Sequence, residues 1–89
     1  MRYRRADGVL HQEVDGVVVL ITAAGDELLD LNATGSVVWR ALGDADGADR
    51  ATLVDAVVAA FPDAPTDVVA TDVEAFLAGL VGDGLVTSE

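Results

Sequence analysis

Asp44-Ala45-Asp46-Gly47-Ala48-Asp49, with Asp55 eleven residues after Asp44, has the outline of a calcium loop. Such a loop needs oxygen ligands at its first, third and fifth positions, a Gly at the sixth for the sharp turn, and a bidentate Glu at the twelfth. Here Ala48 stands fifth, Gly47 fourth and Asp55 twelfth, so the donor set fails at three places. Nucleophilic chemistry fares no better: the chain has no Cys, its only His is His11, and Ser36 falls inside a helix start. His11 lies among strand-forming residues, where a solvated or hydrogen-bonded side chain is the ordinary role; a metal would find no second His and no thiolate. The expectation is therefore no catalytic residue, no metal and no cofactor. The remaining polar candidates, Asp30 and Asp72, suit contacts at the rim of a binding surface. Asp72 reads equally well as a solvated helix residue or as a partner for Arg40.

The elements that would position these residues follow from apolar periodicity. Val9 to Val14 and Val17 to Thr22 are β-rich, and Asp15-Gly16 between them is a two-residue hairpin signal. Ala24-Gly25-Asp26 turns the chain into a third strand, Glu27 to Leu31, at the edge of a three-stranded meander. Within Leu28-Leu29-Asp30-Leu31-Asn32-Ala33-Thr34-Gly35 the period changes from two to helical, with Asn32 placed to stop the strand and cap a helix. That helix runs from Ala33 to Leu42 and closes at Gly43. Trp39 is positioned to pack it onto the sheet. A second helix is expected from Ala51 to Phe61 and a third from Pro65-Thr66-Asp67 to Gly82 or Gly84, with Val69, Val73, Phe76, Leu77 and Leu80 as its apolar stripe. Leu85-Val86 adds a short extended contact. Three strands followed by three helices read as an α+β domain of winged-helix type.

Composition bounds what this domain can do. At 89 residues it is one domain, 1–89, that buries about 60% of its unfolded surface. With 52% hydrophobic residues it needs no disulfide or structural metal. Sixteen acidic residues against five Arg give a net charge of −11, and no basic residue follows Arg50. A third helix without Lys or Arg cannot serve as a recognition helix for DNA, so nucleic acid is excluded as a partner. No apolar run approaches the ~20 residues needed to span a bilayer, and no signal-type segment follows the basic start. A cytoplasmic protein with no membrane association is expected, consistent with the lack of Cys.

Leu31-Asn32-Ala33-Thr34-Gly35, Trp39, Asp72, Phe76-Leu77, Leu80 and Gly84-Leu85-Val86, in that order and spacing, resemble the PqqD-like family, also called RiPP precursor peptide recognition elements. The Leu-Asn-x-x-Gly string most resembles the stand-alone members of lasso-peptide biosynthesis. The strand before Leu31 departs from the pattern, with Leu28-Leu29 where many relatives carry an aromatic residue. The resemblance implies a non-enzymatic adaptor that holds the leader of a ribosomally made precursor and presents it to a leader peptidase and a macrolactam synthetase. In the cofactor-synthesis branch the partner is a radical enzyme acting on a PQQ-type precursor. The leader would add as a strand to the edge formed by Glu27, Leu28, Leu29, Asp30 and Leu31, above an apolar floor of Leu29, Leu31, Val69, Val73 and Phe76, with Asp30 and Asp72 at the rim.

The physics of the chain permits this mode, because an edge strand offers unpaired N–H and C=O groups. A proline at Leu29 is expected to remove one such donor. The rival from another class is the winged-helix DNA binder excluded above; a subunit that only activates an enzyme, with no affinity for leader, is a further alternative, and peptide binding by the isolated protein separates it from the adaptor.

Overall fold

The computed structural model describes residues 2–22, 25, 27–43 and 47–89. The hairpin forms where Asp15-Gly16 requires it: β2 (Leu10–Val14) and β3 (Val17–Ile21) are joined by these two residues, both with positive φ, 52° and 82°. This is the backbone that matches the right-handed twist of the flanking strands. β4 (Leu28–Asp30) pairs antiparallel with β3 in the register Leu20↔Leu29, giving a sheet ordered β2-β3-β4 with β4 at its edge. Ala24 and Asp26 of the expected turn lie outside the described residues.

α1 (Ala33–Leu42) begins at Asn32, whose side-chain oxygen accepts the Gly35 N–H at 2.7 Å, and ends at Gly43 with φ 69°. α2 (Arg50–Ala60) is capped by Asp49, which accepts the Thr52 N–H at 2.8 Å. The Thr52 side chain and then its backbone N–H hold the Asp49 carboxyl below its usual range. α3 (Thr66–Gly82) follows Pro65. Each helix lies within a residue or two of its expected span.

A second sheet was not anticipated. β1 (Arg2–Arg5) pairs with β5 (Ala48–Asp49) on one side and β6 (Val86–Ser88) on the other, joining the two ends of the chain. The Arg-rich β1 carries no apolar alternation; backbone pairing holds it, and its charged side chains find partners. Arg5 donates from Nε and Nη2 to the Trp39 carbonyl at 3.2 and 2.6 Å and stacks over the Trp39 ring at 4.8 Å. Arg4 pairs with Glu89 at 3.4 Å.

The core lies between the β2-β3-β4 sheet and the helices, with Leu20, Trp39, Leu42, Leu53, Val57 and Leu77 buried. Trp39 packs α1 onto the sheet as expected, its ring meeting His11 edge-on at 6.0 Å between centroids. The chain is thus an α+β domain of winged-helix type. Among the described residues no helix is long and apolar enough to cross a membrane.

Candidate peptide-binding groove

The edge of β4 can be read amide by amide. Leu31 N–H donates to the Val18 carbonyl and Thr22 N–H donates to the Glu27 carbonyl. In an antiparallel ladder the hydrogen-bonded direction alternates along the strand. Residues 27, 29 and 31 therefore turn their backbone groups toward β3, and Leu28 and Asp30 turn theirs to the free edge. This corrects the expectation for Leu29, whose N–H belongs to the β3 ladder and not to the edge.

Side chains alternate the other way. Leu29 and Leu31 share the helix-side face with Leu20 and Val18, whereas Leu28 lies on the outer face beside Ile21 and Leu10. Exposure follows: Leu28 is 71% exposed, Leu29 37% and Leu31 4%.

A buried hydroxyl sets where this edge ends. Val18 N–H donates to Ser36 Oγ at 3.0 Å, and Ser36 Oγ donates to the Leu31 carbonyl at 3.4 Å. The Ser36 side chain of α1 is thereby inserted where a direct β3–β4 rung would otherwise close. Ser36, fully buried, is the polar group that ties α1 to the end of the edge strand. Ser36→Ala is expected to leave the Val18 N–H and the Leu31 carbonyl without this partner and to cost about 1–3 kcal/mol in chemical denaturation.

Between β4 and α3 lies a groove of about 320 Å³, with Leu29, Asp30, Leu31 and Asn32 on one wall and Ala75, Phe76, Gly79, Leu80 and Asp83 on the other. A second depression of about 420 Å³ continues it past the end of β4, lined by Asn32, Thr34, Asp72, Ala75 and Phe76. The α3 wall is the helical series 72, 75, 76, 79, 80, 83, one turn after another. Small residues make the space: a Cβ added at Gly79 would meet no heavy atom within 4 Å.

The expected site residues divide accordingly. Leu29, Asp30, Leu31 and Phe76 meet at the groove, and Asp72 joins them in its continuation. Leu28 contributes edge backbone, and the exposed Glu27 lines neither depression. Val69 and Val73 are buried in the core beneath and line neither depression, whereas Leu31, also buried, lines the groove. Ala75, Gly79 and Asp83 line the α3 wall of the groove.

Arg40 forms its ion pair with Glu13 and donates to the Gly16 carbonyl at 2.8 Å, which answers the possibility of an Arg40–Asp72 pair. Elsewhere, a depression at Tyr3, Asp49, Arg50, Ala51 and Glu74 is bridged by the Arg50–Glu74 ion pair, so its charges already satisfy one another. Of the calcium-like run, Asp44, Ala45 and Asp46 lie outside the described residues, and the Asp49 carboxylate caps α2. Among the described residues no three His, Cys, Asp or Glu side chains converge as metal ligands.

Comparison with known proteins follows the same outline. A family model described as "Coenzyme PQQ synthesis protein D (PqqD)" matches residues 17–86. No curated protein matches the chain. Two solved structures superpose over nearly the whole of it. "TbiB1 in Complex with the TbiA(beta) Leader Peptide" has a TM-score of 0.82 and 26% identity, covering 97% of this chain and 96% of that one. "Lasso peptide synthetase B1 complexed with the leader peptide" has a TM-score of 0.80 and 18% identity, covering 99% and 100%.

Proposed function

The chain belongs to the PqqD family, and from that premise we propose that it is a single-domain, non-enzymatic adaptor, 1–89, that binds the leader of a ribosomally made precursor peptide. The leader adds as a strand to β4, taking its hydrogen bonds from the outward amides and carbonyls of Leu28 and Asp30. Its alternate side chains enter the groove against Leu29, Leu31, Ala75, Phe76 and Gly79. A leader peptidase and a macrolactam synthetase then receive the bound precursor at raised effective concentration, in the cytoplasm where the precursor is made. The observation that carries this reading is an edge strand whose free amides border an apolar groove walled by small residues, an arrangement suited to strand addition with side-chain selectivity.

The family's link to coenzyme PQQ synthesis favours a second reading, in which the client is the precursor of a PQQ-type cofactor; the partner would then be a radical enzyme. The lasso client is preferred because both solved neighbours carry leader peptides and one is named as a lasso peptide synthetase component.

A fluorescein-labelled lasso-type leader containing Tyr-x-x-Pro, titrated with the isolated protein, is expected to give saturable polarisation and to remain uncleaved. Binding of a PQQ-type precursor with no binding of the lasso leader would reverse the preference. Binding of neither by a folded protein would leave an activator subunit as the better account.

A further inference from the structure

Past the last paired residue of β4 the chain turns into α1 at Asn32, so an added strand loses its backbone partners there. What binds in the second depression is decided by side chains.

Asp72 and Phe76 stand four residues apart on α3 and both line this depression, so the carboxylate and the ring share one helix face. The ring is held in place from below. A Cβ at Gly35 would lie 2.7 Å from Phe76 Cε1 and 2.9 Å from Cζ, so Phe76 packs on the bare α-carbon of Gly35 and is fixed against the start of α1. Asp72 is exposed, and its carboxylate takes part in no ion pair or hydrogen bond among the described residues. The field around it has one sign: Asp30 and Asp83 line the adjoining groove, no Lys, Arg or His lines either depression, and the chain carries −11.

We infer that this depression takes the cationic side chain of a peptide residue, an arginine or lysine lying just outside the segment that pairs with β4. The apolar stem of such a side chain packs along the Phe76 ring, and its head pairs with the Asp72 carboxylate. Arginine suits the site better, because its planar fork matches a carboxylate and stacks on an aromatic ring. Asp72 is thereby a specificity-determining residue: an acidic leader segment is repelled and a basic one selected. The inference rests on the leader-binding reading and adds to it the charge of the client.

The test uses the labelled Tyr-x-x-Pro leader with arginine placed in turn at each residue outside that motif, and a matched set carrying citrulline, the neutral isostere. Both sets are titrated at low and high salt against the wild-type protein and Asp72→Asn, a variant at an exposed position that keeps the side-chain volume. At one position arginine is expected to bind about tenfold tighter than citrulline, as a charge-assisted contact of ~1.4 kcal/mol would give. That gain disappears in Asp72→Asn and shrinks at high salt, while citrulline peptides bind both proteins alike.

Equal binding of arginine and citrulline at every position would overturn the inference and leave leader binding standing. So would an Asp72→Asn variant that weakens both sets equally, which would make Asp72 a neutral rim contact. If no peptide of either set binds the folded protein, the leader reading falls and this inference with it.

Discussion

Gly79→Leu is expected to give a protein at least as stable as the parent that has lost leader binding by about 30-fold or more. The two effects have separate origins. Gly79 lies inside α3, where a glycine costs roughly 0.8–1.0 kcal/mol against alanine and nearly as much against leucine. Added atoms at this position enter open space, since nothing lies within 4 Å of a built Cβ. The variant therefore avoids the overpacking that larger side chains cause in a filled core. For a domain of this size a gain near 1 kcal/mol raises the melting temperature by about 4–8 °C. The same side chain fills the groove facing Leu29 and Asp30, where the leader has to lie. Losing the central contact of an interface costs about 2 kcal/mol or more. Thermal melting and polarisation titration on the same preparation check both halves. A stabilised variant that still binds with parental affinity would move the peptide off this groove.

The second large effect separates neighbouring residues of one strand. Asp30→Pro is expected to fold and to lose leader binding, whereas Leu29→Pro is expected to lose stability by several kcal/mol. Asp30 presents its amide outward, so proline there removes an edge donor and projects its ring into the incoming strand, a position where folded sheets accept proline. The Leu29 amide faces β3 in the Leu20↔Leu29 pair, so proline there breaks a rung of the sheet itself. Chemical denaturation and peptide titration of the pair are the measurements. If both variants melted alike, the amide assignment along β4 would be wrong.

Much of the scaffold is legible in the chain because short-range chemistry dictates it. Asp15-Gly16 carries the positive φ of a two-residue turn, Asn32 has an oxygen for the Gly35 amide, and Gly43 stops α1. These are decisions between near neighbours in sequence. β1 was not legible for the opposite reason: nothing in Arg2–Arg5 alternates, and its partners β5 and β6 lie far along the chain.

The groove was half legible. Leu29, Asp30, Leu31 and Phe76 are found by their type, as strand and aromatic residues beside a helix cap. Ala75 and Gly79 contribute by what they lack, and a missing side chain leaves no periodic signal. Val69 and Val73 misled because an apolar stripe reports that a helix face is covered, not whether core or ligand covers it. Ser36 reads in sequence as one more residue of a helix start; only the position of the Val18 amide reveals its place between two strands.

The pairing of β1 with β6 also orders events in time. Arg2 and Glu89 exchange backbone hydrogen bonds, so the terminal sheet closes only when the two extremes of the chain meet. The hairpin and its neighbour β4 close over short loops, whose entropic cost is small. On a ribosome the meander can form as soon as Leu31 has emerged, before Thr66–Gly82 emerges to wall the groove. During that interval the nascent domain displays an apolar edge without its helical cover, the stage of synthesis at which strand-to-strand association is its chief hazard.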